Sequence, residues 1–422
     1  MAQLNFDGVD YEDGVASDPV LNGWMQGSPP RADRTIRFAD DRFLYFPQNR
    51  WALSHIRELL PTVNVPRGRG PEWSLGSPAP ADVDSVEALM IESLDGRRRS
   101  FSEALTDTYV DGIAVLHRGR LVYERYFGAL RPELPHLSFS LTKSYAATLA
   151  ATLVCEGALA ADQRVTSLLP ELVGSAFEDA SLRHLLDMQV GVAFNEDYAD
   201  PHAQVWAYAR AAGTRPRPAG YTGPDGIQDF LATLQSAGPH GLIFDYKSVN
   251  TEVLCWMMQR ATGVPFAALL ADRIWGPIGC EFDGYLGVDA KGFAVGGSGL
   301  AMTLRDLTRF GELMRCNGAR GSNQVIPAAV VADIRRGGDR AKFAGAGYDL
   351  LPGYSYRDMW WVSHDEHAAF EGRGIHGQRL YVAPAAEMVV ARLASHPVAT
   401  SAAHDPVTMP LLRALGRLLK GA

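Results

Sequence analysis

The spacing of apolar positions changes four times along this chain, and each change marks a switch between helix and strand. Trp51, Leu53, Ile56, Leu59 and Leu60 recur at helical intervals, so residues 49–60 are predicted to form a short packed helix ended by Pro61. A second helix is predicted over 83–106. From Gly112 the pattern becomes strand-like: Ile113 to Leu116, then Arg118-Gly119, then Leu121 to Phe127 read as a hairpin about a tight turn. Leu141 to Glu156, rich in Ala and Leu with Gly157 just beyond, predicts a buried helix starting near Ser140. Between about 165 and 290 the spacing returns to near 3.6 at 182–188, 226–235 and 251–260, with few strand signals. After Gly296-Gly297-Ser298-Gly299, helices are predicted at 304–310 and 325–334, strands at 359–362, 375–382 and 388–393, and a closing helix at about 406–419.

Strands near both ends with helices between them predict an α+β fold: one antiparallel sheet built from both chain ends, flanked by helices, with an inserted mainly helical region. The expected division is an irregular N-terminal arm over 1–48, a discontinuous α/β domain over 49–165 and 291–422, and a mainly helical domain over 166–290. The arm is rich in Asp, Gly, Pro and Arg with little periodicity, so it is expected to lie on the domain rather than supply a core element.

The 422 residues are 47% hydrophobic and 21% charged, which suits a globular protein with room for a large core. A formal charge of -8 without blocks of like charge argues against a nucleic-acid partner and points to a small-molecule ligand. The N-terminus has neither a basic start nor an apolar stretch, and no run reaches about eighteen apolar residues, so no membrane association and a cytoplasmic location are expected. Cys155, Cys255, Cys280 and Cys316 are widely spaced, which predicts free thiols, with no disulfide and no zinc site. His364-Asp365-Glu366-His367 has the composition of a metal site but lacks its spacing, and reads as a polar turn.

Arginine fills nearly every basic position. The 40 basic residues include only five lysines, and Lys143 stands three residues after Ser140 in Ser138-Phe139-Ser140-Leu141-Thr142-Lys143-Ser144. A desolvated amine can lose its proton and activate a hydroxyl, whereas a guanidinium cannot. On a helix the two side chains share one face, and the helix N-terminus offers a backbone N–H to a developing oxyanion. Read alone, the pattern is as well explained by an N-cap serine followed by a solvated lysine. Tyr246-Lys247-Ser248-Val249-Asn250 adds a phenol that could relay a proton if a nearby cation such as Lys143 lowers its pKa. Gly372-Arg373-Gly374-Ile375-His376-Gly377-Gln378 adds glycines before and within a strand, where a backbone N–H near Ile375 could complete an oxyanion site; a β-bulge explains those glycines equally well. Of Trp360-Trp361, one ring is expected in the core and the other in a cleft. Asn195-Glu196-Asp197-Tyr198 reads as an acidic loop, with Tyr198 placed to meet a substrate. No G-x-S-x-G occurs, against an α/β-hydrolase route.

Ser140-x-x-Lys143, Tyr246-x-Ser248 and the glycine-rich strand near Ile375, in that order, resemble the serine β-lactamase and penicillin-recognising superfamily. From about residue 49 onward the chain is most similar to the 6-aminohexanoate-dimer (nylon-oligomer) hydrolases and class C-like esterases. Segments such as Asn49-Arg50-Trp51, Leu186-Asp187-Met188-Gln189 and Phe244-Asp245-Tyr246 carry that resemblance. It implies Ser140 as nucleophile, Lys143 as activating base, Tyr246 as proton relay and the amides of Ser140 and Ile375 as oxyanion donors. Tyr198, Ser248, Trp361 and His376 would line the substrate cleft. The implied activity is hydrolysis of small esters or amides through an acyl-enzyme, carboxylesterase-like first and oligomer amidase second, with no metal or organic cofactor and with a homodimer left open. A non-catalytic binding protein of the same fold is the rival from another class. Two departures bear on substrate. Gly372-Arg373-Gly374 stands where β-lactamases have Lys-Thr-Gly, which weighs against penicillin hydrolysis. Ala209 and Val295 stand where nylon-oligomer hydrolases can place polar groups for the substrate amine.

Ser140→Ala is expected to abolish ester turnover with the fold intact, and Lys143→Arg to fail nearly as badly. Initial rates on a chromogenic ester check both, and full activity in Lys143→Arg would remove the proposed role of the lysine.

Overall fold

Strands from the two ends of the chain meet in one seven-stranded antiparallel sheet, as the computed structural model, which describes residues 3–6 and 8–421, makes plain. In chain order the elements that matter to the site are β1 (Val110–His117), β2 (Arg120–Tyr126), α1 (Thr142–Cys155), α2 (Gln204–Ala211), α3 (Val249–Thr262) and α4 (Leu304–Arg315). They are followed by β3 (Ser355–Arg357), β4 (Trp360–Val362), β5 (Phe370–Gly374), β6 (Gln378–Ala383), β7 (Met388–Ala394) and α5 (Asp405–Lys420). The sheet order is β3-β4-β5-β6-β7-β1-β2, so the late strands join the early hairpin through β7 and β1, with Val389 opposite Leu116 and Ala391 opposite Ala114.

Both faces of this sheet are covered, which is why β1 and β7 read as nearly unbroken apolar runs. Alternation still assigns the faces. Leu380 and Val382 of β6 enter the larger core with α1 and α4, while Tyr381 and Ala383 enter a smaller core beneath α5. The larger core continues through α2, α3 and the helices between 165 and 278. A second, four-stranded sheet has the order Thr62–Val65, Gly284–Gly287, Leu300–Met302, His136–Leu137, and its last strand leads into the turn that carries Ser140. Among the described residues no single helix is long and apolar enough to cross a membrane.

Four elements differ from the sequence expectation. The helix predicted over 83–106 ends at Glu87; strands Met90–Glu92 and Arg98–Ser100 pair about Gly96, and a capping box between Ser100 and Glu103 starts a new helix, Phe101–Asp107. The helix predicted over 49–60 divides into Asn49–Ala52 and a single turn at Ile56–Glu58, where the His55 ring stacks on Trp51. The strand predicted over 375–382 is two: β5 ends at Gly374, residues Ile375–Gly377 turn the chain, and β6 follows. His376 and Gly377 have φ of 60° and 97°, and two successive left-handed residues reverse the backbone instead of extending it. The N-terminal arm also differs. Its strands Gln3–Phe6 and Val9–Glu12 pair, and Trp24, Ile36 and Phe43 form a buried cluster with Trp51, Ile56, Leu137 and Phe139. Their irregular spacing gave no period, so a core element was read as a surface one.

The tightest contact in the main sheet's cover is at Gly311 of α4, where a Cβ would lie 2.5 Å from Val389 Cγ1 and 2.7 Å from Leu380 Cδ1. Gly311→Val is therefore expected to lower the unfolding free energy by roughly 1–3 kcal/mol through overpacking. Thermal unfolding checks this, and an unchanged midpoint would show that α4 does not press on β6 and β7.

Candidate active site

Ser140 occupies a single 3-10 turn, Phe139–Leu141, that runs directly into α1. Phe139 has φ of 47°, a conformation a bulky residue adopts only under constraint. The constraint is visible. Ser138 Oγ donates to Leu300 O at 2.7 Å, Thr142 Oγ1 donates to Phe139 O at 2.7 Å, and Thr142 Oγ1 accepts the Leu300 N–H at 3.1 Å. The hydroxyls of Ser138 and Thr142 thus pin the turn to the second sheet. From the opposite side β5 closes in so tightly that a Cβ on Gly374 would lie 2.4 Å from Ser138 O. The glycine there is required by this approach, not by a bulge.

Lys143 Nζ donates to Ser140 Oγ at 2.9 Å and to Gly297 O at 2.7 Å, so the helical spacing read from the sequence places amine against hydroxyl. The ammonium is buried, and loss of solvent lowers its pKa from 10.5 to about 8, with the charges of Glu196 and Glu252 limiting the fall. Glu252, wholly buried on α3, accepts the amides of Gly296 at 2.9 Å and Gly297 at 2.8 Å as well as the Tyr208 hydroxyl. It therefore fixes the loop whose carbonyl holds the lysine. Sequence reasoning missed this residue, although a lone acid among Val249, Val253, Leu254 and Met257 was a readable signal. It also passed over the Gly296-Gly297 run as a spacer.

Tyr246 lies just before α3, with the face of its ring 5.1 Å from Lys143 Nζ. The expectation that a cation lowers its pKa is not met. Burial first, then the Glu196 charge, push the phenol well above its ordinary value, with hydrogen bonding to Ser140 in opposition. Tyr246 thus stays protonated near neutral pH, while the same burial lowers the lysine toward its neutral form. Glu196 likewise departs from its reading as part of a solvated loop. Its carboxylate accepts the Ser248 backbone N–H at 2.6 Å, the Ser248 hydroxyl and the Tyr198 hydroxyl at 2.9 Å, which ties the loop to the N-terminus of α3.

Ile375 begins the turn between β5 and β6 and faces Ser140 across the cleft, not from an edge strand. His376 holds that turn: its N–H donates to Ala399 O at 2.9 Å, and its ring Nδ1 meets His396 O at 2.7 Å. Burial lowers its pKa to about 4, so the ring is neutral near pH 7. Trp360 is fully buried while Trp361 lines the cleft, as expected, with Tyr246 5.6 Å away centroid to centroid.

The cleft has two arms that meet at Ser140, Tyr198 and Ile375. One, a cavity of about 250 Å³, is mainly apolar and is bordered by Phe43, Leu44, Leu60, Val205, Ala209, Ser248 and His376. The other, about 470 Å³, is bordered by Glu196, Tyr246, Tyr348, Trp361 and Arg373. Ala209 borders the first arm, whereas Val295 is fully buried and borders neither. Arg373, the middle residue of Gly372-Arg373-Gly374, is held by Asp405 and Glu371.

A serine, a lysine held against it and a half-buried tyrosine, set between an antiparallel sheet and a helical region, define a class, and the chain belongs to it: residues 99–411 match the Beta-lactamase family model. It is a serine hydrolase of the esterase and amidase type. It is 32% identical, over 388 residues, to a 6-aminohexanoate-dimer hydrolase of Paenarthrobacter ureafaciens, covering 92% of this chain and 91% of that one. A solved structure from Bacillus anthracis, provisionally assigned as a 6-aminohexanoate-dimer hydrolase, is 28% identical with a TM-score of 0.81, covering 93% of this chain and 99% of the other. A family VIII carboxylesterase shares the fold at 17% identity and a TM-score of 0.58, over 81% of this chain and 99% of that one.

If neutral Lys143 is the base, kcat/KM for an ester rises with pH through about 8 as the ammonium loses its proton. Glu252→Gln removes a charge that favours the ammonium, so the midpoint of the profile is expected to move to lower pH. A folded variant with an unshifted midpoint would show that Glu252 does not act on the lysine.

Proposed function

We propose that the protein hydrolyses small esters and linear amides through an acyl-enzyme on Ser140, with esters turned over faster. The observation that carries this reading is the 2.9 Å hydrogen bond between Lys143 Nζ and Ser140 Oγ in a site that lowers the amine's pKa to about 8. Neutral Lys143 takes the hydroxyl proton as Oγ bonds to the substrate carbonyl carbon. The amides of Ser140 and Ile375 hold the oxyanion, a contribution of about 3–4 kcal/mol for each donor in comparable sites. Tyr246 gives its proton to the departing oxygen or nitrogen and regains one from Lys143, so that the net transfer is one proton from the serine side to the leaving group and both carriers are restored. Water then attacks the acyl carbon, loses its proton to the same pair, and the acid departs as Oγ is reprotonated.

A second reading, linear-amide hydrolysis as the main activity, is favoured by the 32% identity to a 6-aminohexanoate-dimer hydrolase. Against it stands Ala209, which places no anion in the apolar arm for a substrate ammonium. Assays with p-nitrophenyl butyrate and N-butyryl p-nitroanilide, together with a fluorophosphonate probe and peptide mass analysis, decide the matter. Ester turnover above amide turnover with an adduct on Ser140 is the expected result. Amide turnover equal to or above ester turnover would support the second reading, and no turnover and no adduct would overturn both.

A further inference from the structure

The two arms of the cleft are chemically unequal, and the proton carrier borders only one of them. Tyr246 lines the larger arm beside Trp361 and Arg373 and is absent from the walls of the smaller apolar arm. A group that receives a proton from Tyr246 must leave through the larger arm. The acyl chain then lies in the smaller one, whose walls come partly from the N-terminal arm of the protein, outside residues 99–411. Phe43 and Leu44 line one side and Val205 and Ala209 of α2 line another.

An ion pair borders both this cavity and a second, more open pocket, and so stands between them. Arg215 Nε donates to Asp41 Oδ2 at 2.7 Å, its guanidinium lies 4.4 Å from the centre of the Trp206 ring, and a second nitrogen reaches the Tyr45 hydroxyl at 3.3 Å. The more open pocket is bordered by Tyr11, Arg42 and Pro397 together with the same Asp41, Tyr45 and Arg215. Asp41 is the only acid among the residues that border the apolar cavity, and Arg215 neutralises it. A charged chain end entering there would lose its water and find no free counter-charge.

From these observations we infer that the N-terminal arm makes this protein selective for uncharged, apolar acyl groups longer than acetyl, with Asp41 and Arg215 setting the limit of chain length. The inference rests on the assignment of Ser140 and Tyr246 given above and names the substrate class of that site. An acetyl group leaves most of the cavity unfilled, a neutral straight chain fills it, and the same chain ending in an ammonium does not gain from it.

The test compares kcat/KM for the p-nitrophenyl esters of acetate, hexanoate, 6-aminohexanoate and dodecanoate in the full chain. Hexanoate is expected to exceed acetate by roughly tenfold or more, and 6-aminohexanoate by roughly a hundredfold. Ala209→Phe, which fills the cavity, should lower the hexanoate-to-acetate ratio by roughly tenfold. Arg215→Ala, which removes the ion pair between the two pockets, should raise the dodecanoate-to-hexanoate ratio by a similar factor. Fluorophosphonate labelling of Ser140 in each variant reports that the site is assembled. If both variants label normally and neither ratio moves, the acyl chain does not lie in this cavity, and the serine hydrolase stands without the inference. Equal rates on hexanoate and 6-aminohexanoate would overturn the preference for a neutral chain. Absence of labelling in the wild-type protein would overturn the assignment of Ser140 itself and the inference with it.

Discussion

One buried amine organises this molecule. Lys143 is buried, with two oxygen partners, Ser140 Oγ and Gly297 O, at 2.9 and 2.7 Å. A lysine placed so would lose its proton more readily still if Glu196 and Glu252 were not near, and it would lose its aim if the Gly296-Gly297 loop could shift. Much of the surrounding structure serves these two requirements. α3 brings Glu252 to the loop, Glu196 ties the Tyr198 segment to the start of α3, and the second sheet fixes the turn on which Ser140 stands.

The geometry also divides labour between the two titratable groups beside the serine. Burial acts on both in the direction of the neutral form, lowering the amine and raising the phenol. Above about pH 8 the pair is therefore neutral together, at values where a lysine in water would still carry its charge. A buried amine that is neutral before the reaction gains its charge only as it takes a proton, when the oxyanion forming beside it supplies the counter-charge.

The residues with strong local signals were legible in the sequence. Ser140 and Lys143 announced themselves by spacing and by the scarcity of lysine, and the hairpin of β1 and β2 by two β-rich runs about Arg118-Gly119. Ile375 was identified by its glycines, yet its element was misread, because two left-handed residues at His376 and Gly377 look from the sequence like a short interruption in a strand. What stayed hidden was set by contacts between distant segments. Glu252 meets its amides 44 and 45 positions away, and Phe43 joins a cluster with residues nearly a hundred or more positions later. No local pattern encodes such pairings; they arise when apolar residues without period find a common interior.

The pairing of β7 with β1 has a bearing on how the protein is made. The early hairpin, and Ser140 just after it, emerge from the ribosome long before Met388–Ala394 can cover their open edge. At about 5–20 residues per second the hairpin waits roughly tens of seconds for its partner. Through that interval its unpaired edge is open to other chains, while Ile375 has yet to reach the serine. Until the last strands dock, the cleft lacks the wall that Trp361, Arg373 and Ile375 supply.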